Sequence, residues 1–267
     1  MIRIDTLAKQ RLDMAAVDRG LAETRSKARA LILAGDVLVN GLPEHHAGAM
    51  VRPHDQLELK ARPRFVSRGG QKLDHVLSAF GIDVSGAVCA DLGASTGGFT
   101  DCLLQRDAAQ VYAVDVGYGQ LDNRLRVDPR VRVMERTNAR YLEGLPEAVD
   151  VVVIDVSFIS LGHMLPVAVS LLRPSGICLP LIKPQFEAGR SEVGKGGVVR
   201  DPAIHRRVLE RTLEFARRDG FVVHGLERSP LLGPSGNVEF LAHLEKRVES
   251  SLPVSELGDV IQSLVAG

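Results

Sequence analysis

The sequence predicts an α/β protein in two pieces: a small α+β module, then a larger domain built on a mostly parallel sheet. Three observations predict it. From residue 87 onward short apolar runs alternate with amphipathic segments, the pattern of strands joined by helical crossovers. The first of those runs ends in a glycine-rich turn, "DLGASTGGF", at the carboxyl edge where open parallel sheets hold ligands. Charge is also unevenly divided. The net charge is +0, yet residues 1–72 carry 13 Lys/Arg against 8 Asp/Glu and the remainder 20 against 25. A basic front piece on an acidic body suggests a separate module with an anionic partner.

The front module is assigned to residues 1–61. "RLDMAAVDRG" reads as a short helix stopped by Gly20, and "TRSKARALILAG" as a second, with Thr24 as N-cap and Gly35 as the stop. Arg25 and Arg29, four apart on one face, are expected to point at solvent or at an anion. Val37 and Val39 lead into a turn at Asn40-Gly41, and the chain returns as a strand through Leu57 to Leu59. Residues 62–70 read as a basic linker, with Arg62, Arg64 and Arg68 punctuated by Pro63 and Gly69-Gly70, and Arg64 and Arg68 are expected to contact RNA. The second domain, 71–267, opens on a helix from Gln71 to Phe80, which places Lys72 on a fixed first turn.

Seven strands come next: Ala87 to Leu92, Gln110 to Val116, Val131 to Met134, Val149 to Ile154, Gly176 to Ile182, Phe221 to Leu226 and Asn237 to Leu244. The clearest helix is Pro202 to Arg218, with Asp201 as cap, Pro202 in the first turn and Gly220 beyond the end. Leu257, Val260, Ile261 and Leu264 form a weak amphipathic turn in the tail.

Several function classes are disfavoured. Cys89, Cys102 and Cys178 lack paired metal-ligand spacing and read as reduced core residues of a cytoplasmic protein, so no metal is expected. "MIRIDTLAKQRLDMAA" lacks the apolar core of a signal peptide, and Leu161 to Ile182 is too interrupted to span a membrane. The glycine turn is neither G-x-G-x-x-G nor a phosphate loop, against a nicotinamide enzyme or a nucleoside triphosphatase.

The residues at the strand ends carry the chemistry. Asp91 ends the first strand, and Gly93, Gly97 and Gly98 allow a tight turn and close approach to a ligand before Phe99 starts a helix. Asp115 tips the second strand, about twenty residues on, where an acid takes ribose hydroxyls. Asp155 leaves a run of valines after the fourth strand. Lys183 ends the apolar run Ile177 to Ile182, where it either emerges into water or is held in a site that needs an amine. Glu239 lies in the apolar segment of the last strand. Between Lys183 and Asp201, "PQFEAGRSEVGKGGVVR" reads as a mobile substrate loop offering Arg190, Lys195 and Arg200 to phosphates, or as a plain connection.

These motifs resemble known families. "RLDMAAVDRGLAETRSKARALILAGDVLVNG" looks like an S4 domain, a small RNA-binding module, which implicates Arg19, Arg25, Lys27 and Arg29 in RNA contact. "DLGASTGGF" is similar to motif I of S-adenosylmethionine-dependent methyltransferases. That likeness implies a Rossmann-like domain whose cofactor is held by Asp91, Gly93, Ala94, Ser95, Gly97, Gly98, Phe99 and Asp115. Asn138 stands where such enzymes often read adenine, or simply caps a loop. Lys72, Asp155, Lys183 and Glu239 resemble the tetrad of RNA 2′-O-methyltransferases of the FtsJ/RrmJ type. "FVSRGGQKL", "DLGASTGGFTD", "YAVDVGYGQL", "DVSFISL", "LIKPQFE", "GKGGVVRD" and "SPLLGPSGNVEFL" together resemble the TlyA/hemolysin A family. The resemblance implies methylation of a cytidine 2′-hydroxyl in ribosomal RNA, 16S or 23S or both, with ribosomal RNA or subunits as partners and no membrane or obligate protein partner.

A ribose hydroxyl is a poor nucleophile, so the expected site aligns it with the sulfonium methyl and removes its proton. Lys183 would accept or steer that proton, Asp155 and Glu239 would orient Lys183, and Lys72 would position the ribose or its phosphate. An ordinary lysine, pKa about 10.4, is mostly protonated at neutral pH and needs its environment to serve as a base. Three other readings stand beside this one: a non-catalytic RNA-binding assembly factor, a cytolysin, and the same enzyme acting on a protein or small molecule, against which the basic front module speaks.

Overall fold

The computed structural model describes residues 9–60, 63–247 and 258–265; Arg62 and Leu257 lie outside them. The chain divides into two compact units, Met1–Arg64 and Phe65–Gly267.

In the first unit, helices α1 (Leu12–Asp18) and α2 (Arg25–Leu33) pack on short strands: β1 (Gln10–Arg11), β2 (Val37–Val39), β3 (Leu42–Pro43), β4 (Met50–Val51) and β5 (Leu57–Leu59). β1 pairs with β4, and β2 runs between β3 and β5. Leu12, Ala15, Ile32, Val37 and Val51 form its core. The Thr24 hydroxyl accepts from the Lys27 N–H (3.2 Å), capping α2 as its sequence predicts. Asp13, fully buried, is held by Arg11 (3.1 Å) and Arg25 (3.0 Å). The hydrogen bond from Arg11 is the main reason that its carboxyl is lowered to about 2.

The second unit is a seven-stranded sheet of order β11-β12-β10-β9-β6-β7-β8. Its strands are β6 (Val88–Leu92), β7 (Gln110–Val114), β8 (Val131–Met134), β9 (Val149–Ile154), β10 (Leu172–Ile182), β11 (Phe221–Arg228) and β12 (Phe240–Lys246). Helices α3 (Arg68–Ala79), α4 (Gly98–Gln105), α5 (Asn123–Arg126), α6 (Leu165–Leu171), α7 (Pro184–Glu187), α8 (Pro202–Arg218) and α9 (Gly258–Val265) connect or cover them. All pairings are parallel except those of β12, which is antiparallel to both β10 and β11. Alternation along β9 shows why its valine run is needed. Val152 and Ile154 join the cluster under α6 and α8, whereas Val151 and Val153 join the cluster under α3 and α4. Each such side chain contributes about 1.5–3 kcal/mol by leaving water.

Several boundaries differ from the sequence reading: β7 stops at Val114 instead of Val116, β11 runs on to Arg228, and β12 starts at Phe240 instead of Asn237, so Glu239 stands just before the strand. α3 begins at Arg68, so Gly69-Gly70 lie inside a helix and do not punctuate a linker. Their small size serves packing: a Cβ on Gly70 would stand 2.3 Å from the Phe65 ring. β10 begins at Leu172 instead of Gly176, and its register against β9 shifts between Leu172 and Ile177, which is how the strand absorbs Pro174 and Gly176. All three cysteines are free and buried, and burial pushes the Cys89 thiol up to about 12. Among the described residues no helix is long and apolar enough to cross a membrane, and no cluster of His, Cys, Asp or Glu could hold a metal ion.

Two glycines test how tightly the strand tips are packed. Gly93 (φ 92°) and Gly119 (φ 72°) both need the left-handed region, but only at Gly93 would a Cβ meet backbone, 2.7 Å from the Asp155 carbonyl oxygen. Gly119→Ala is expected to cost about 1–2 kcal/mol, and Gly93→Ala about 1–3 kcal/mol more, because β6 and β9 must move apart. Urea unfolding of both variants checks this; equal losses would contradict it.

Candidate active site

Helical crossovers bring the ends of β6, β7, β9 and β10 to one edge of the sheet, and two open clefts lie there, meeting at Gly93, Ser95 and Asp155. The first, about 600 Å³ of space open to solvent, runs along Ser67, Arg68, Lys72, Asp91 and Phe99. The second, about 1020 Å³, runs along Asp115, Asn138, Phe158 and Met164.

The glycine turn builds the wall between them. Gly93 packs against the β9 tip, and Ser95 takes a left-handed conformation (φ 49°) that aims its N–H at Asp115 Oδ2 (2.8 Å). The other Asp115 oxygen accepts from the Gly117 N–H (2.7 Å). Gly97 (φ 94°) caps α4, and Gly98 lets the start of α4 approach α3, since a Cβ there would stand 3.0 Å from the Gly70 nitrogen. Ala94 and Phe99 are buried in this wall. Asp91 is fully buried below it. Its Oδ2 accepts from the N–H and hydroxyl of Thr100 (2.9 and 2.7 Å), while its Oδ1 has no hydrogen-bond partner. Burial, and to a lesser extent the neighbouring carboxylates of Asp155 and Asp115, push the Asp91 carboxyl up to about 7. Asn138 accepts from the Arg140 N–H (3.0 Å), capping a short 3₁₀ turn, and also lines the second cleft.

The four ionisable residues singled out in the sequence form two ion pairs. Lys183 Nζ lies 2.7 Å from Asp155 Oδ1, an ion-pair contact that lacks hydrogen-bond alignment, and donates to Ser157 Oγ (3.0 Å). Lys72, on the second turn of α3, pairs with Glu239, and both are buried. Lys72 and Asp155 line the same cleft. Sheet register explains the arrangement. Parallel pairing of Pro180 with Ile154 carries Lys183 and Asp155 beyond the same edge. Antiparallel pairing of Ile182 with Phe240 brings the beginning of β12 to the end of β10, so Glu239 arrives at that edge from the opposite chain direction. One role changes. Glu239 was expected to orient Lys183, but its ion-pair partner is Lys72, and Asp155 is the acid on Lys183. The second oxygen of Glu239 is buried without a hydrogen-bond partner, against Gly233.

The predicted RNA-contact residues differ in their engagement. Arg19 donates to the carbonyls of Asp55 (2.5 Å) and Arg52 (3.0 Å), Arg25 binds Asp13, and Lys27 pairs with Glu23. Arg25 is 56% exposed, as its helix face predicts, and also meets a buried carboxylate of its own module. Arg29, Arg64, Arg68, Arg190, Lys195 and Arg200 are exposed. The segment after Lys183 contains α7, a 3₁₀ turn at Arg190–Glu192 and a bridge between Gly194 and Val198. Asn237 fastens it, accepting from the Val199 N–H and donating to the Gly197 carbonyl (both 2.9 Å).

Sequence reasoning passed over Ser157, Phe158, Phe186 and Glu187, although "DVSFISL" and "LIKPQFE" contain them. Phe158 is 90% exposed, in a left-handed conformation (φ 64°), with its ring 4.9 Å from that of Phe186. The available signal was the repeated adjacency of aromatic, hydroxyl and acidic residues to the two strand-end charges.

Comparison with known proteins agrees with this architecture. Residues 65–246 match the model for FtsJ-like methyltransferases, and residues 10–57 that for the S4 domain. The chain is 48% identical to "Putative rRNA methyltransferase YqxC" of Bacillus subtilis, over 96% of this chain and 94% of that protein. It is 45% identical to "16S/23S rRNA (cytidine-2'-O)-methyltransferase TlyA" of Mycobacterium tuberculosis, over 97% and 98% respectively. Among solved structures, "Putative hemolysin from Streptococcus thermophilus" superposes with a TM-score of 0.74 at 44% identity, covering 98% of this chain and 96% of that one. The second unit, with its seven-stranded sheet and a glycine turn at the end of β6, has the Rossmann-like fold of S-adenosylmethionine-dependent methyltransferases. The chain belongs to the FtsJ-like methyltransferase family, in the group that carries an S4 domain ahead of the catalytic fold and includes TlyA and hemolysin A.

Proposed function

We propose that this chain methylates the 2′-hydroxyl of a cytidine in ribosomal RNA, of the small subunit, the large subunit or both, in the cytoplasm. The observation that carries the reading is the Lys183–Asp155 pair, whose acid lines both clefts, backed by the buried Lys72–Glu239 pair.

The residues fit S-adenosylmethionine. The orphaned, buried Oδ1 of Asp91 suits its amino group, the close-packed Gly93 leaves room for its chain, and Asp115 and Asn138 line the cleft for ribose and adenine. Gly97, Gly98 and Phe99 hold that wall in shape. When bound, the cofactor supplies an electrophilic methyl on a sulfonium.

The chain's own residues supply alignment and proton transfer. Lys183 accepts or steers the 2′-hydroxyl proton as that oxygen takes the methyl and the methyl's bond to the sulfonium sulfur breaks; Asp155 and Ser157 hold its amine in place. Lys72, held by Glu239, offers its remaining N–H donors to the ribose or the adjoining phosphate. Much of the rate enhancement comes from holding hydroxyl and methyl in a near-attack arrangement. The exposed Phe158 ring beside this rim suits stacking on an unpaired base, the form in which RNA is usually read. Arg29, Arg64, Arg68, Arg190 and Lys195 are exposed and suit phosphate contact; Arg19, Arg25 and Lys27, also exposed, reach RNA with donors left over from their internal bonds.

Lys183→Ala should lower kcat for methyl transfer to ribosomal RNA by about 10²–10⁴-fold while leaving cofactor affinity within about threefold by calorimetry. Normal turnover by this variant would contradict the assignment, and a wild-type chain that binds no cofactor would favour the assembly-factor reading. A second outcome concerns Asp91. Its carboxyl, at about 7 when free, must ionise to take a cation, so affinity should climb with pH. Calorimetry between pH 5.5 and 7, below the cofactor amine's own titration at about 7.7–8.0, should find binding tighter by about 15-fold across the window, most steeply at its acid end. A flat profile across that window contradicts the contact.

A further inference from the structure

We infer that Glu187 is a positioning residue: it holds the loop after β9 so that the Ser157 hydroxyl stays on the Lys183 amine. The inference rests on the catalytic reading of Lys183 given under the proposed function.

Glu187 closes α7, four residues beyond Lys183, and its carboxylate is 4% exposed. Its two oxygens are both spent on the loop that comes after Asp155: Oε1 accepts from the Leu161 N–H (2.7 Å) and Oε2 from the Ser160 hydroxyl (2.8 Å). The segments carrying the reactive pair are therefore joined at three points. Lys183 grips Asp155 and Ser157 at one end, the rings of Phe186 and Phe158 meet in the middle, and Glu187 ties down Ser160 and Leu161 at the other.

The backbone says why such a tie is needed. Phe158 stands at φ 64°, a region bulky side chains avoid, and it directly follows Ser157. A strained residue persists only where its surroundings over-determine it, and such strain clusters at working sites. Loosening the Ser160–Leu161 end lets Phe158 relax, and the adjoining Ser157 turns away from Lys183. A buried carboxylate is also an expensive way to cap a loop. Burial pushes the Glu187 carboxyl up; the Leu161 N–H, the Ser160 hydroxyl and more distantly Arg211 and His163 oppose that shift. A residue needed only for filling space would have no reason to carry the charge.

The test compares Glu187→Ala, Glu187→Gln, Ser157→Ala and the Glu187→Ala/Ser157→Ala double variant, with wild type and Lys183→Ala alongside. The readouts are kcat and KM for ribosomal RNA, cofactor affinity and the thermal midpoint. Glu187→Ala should lower kcat by about 10–100-fold, the scale of a misplaced reacting group, with KM and cofactor affinity nearly unchanged. Glu187→Gln should recover most of the loss, since the amide oxygen still accepts from Leu161 and its NH₂ can donate to Ser160. Because Glu187 acts through Ser157, the double variant should be no slower than Glu187→Ala. Wild-type kcat in Glu187→Ala or in Ser157→Ala overturns the inference, as does a loss that follows the thermal midpoint equally in Glu187→Ala and Glu187→Gln. Should Glu187→Ala not fold, Ser157→Ala and Glu187→Gln still decide. An active Lys183→Ala would instead sink the underlying reading.

Discussion

The structure depends on the requirement that a lysine removed from water be matched by a carboxylate. Lys72 and Lys183 are each largely withdrawn into the protein, and each has its own acid, Glu239 and Asp155. Breaking one partner of such a pair leaves a charge stranded, which typically costs about 3–5 kcal/mol. A fold that keeps two such pairs at one edge, beside an unpartnered Asp91 oxygen, retains polarity that stability alone does not require.

Sheet topology is what makes the pairing possible. Parallel strands deliver only their carboxyl ends to the ligand-binding edge, so Asp91, Asp115, Asp155 and Lys183 all stand at or just beyond strand ends. The antiparallel β12 is the exception that admits a residue from the start of a strand. Glu239 precedes Phe240, which is paired with Ile182, and so stands opposite the end of β10. The same geometry lets Asn237, two residues earlier, fasten the Gly197–Val199 segment.

Much of this was legible in the sequence, because strand ends are marked by a change from apolar to charged residues. The valine run before Asp155 and the apolar run before Lys183 each announced a buried strand with a charged tip. What was not legible depended on tertiary contact. Gly69-Gly70 look like linker punctuation, yet Phe65 and Gly98 press on them inside a helix. Arg25 faces solvent as helical periodicity predicts, but only the fold shows the buried Asp13 that it also holds. Glu239 was placed at the right edge but against the wrong lysine, since strand order alone cannot say which of two amines an incoming carboxylate reaches. Glu187 and Ser157 are polar residues in loops or short turns, where sequence gives no hint of burial or partner.

The central claim is that this edge moves a methyl group onto a ribose oxygen. The most direct measurement is transfer of tritiated methyl from S-adenosylmethionine to ribosomal RNA, then alkaline hydrolysis of the product. A ribose methylated at its 2′-oxygen has lost the nucleophile that cleaves the neighbouring phosphodiester, so the account predicts label in an alkali-resistant dinucleotide that begins with cytidine. Label recovered in ordinary mononucleotides, as from a methylated base, would contradict it.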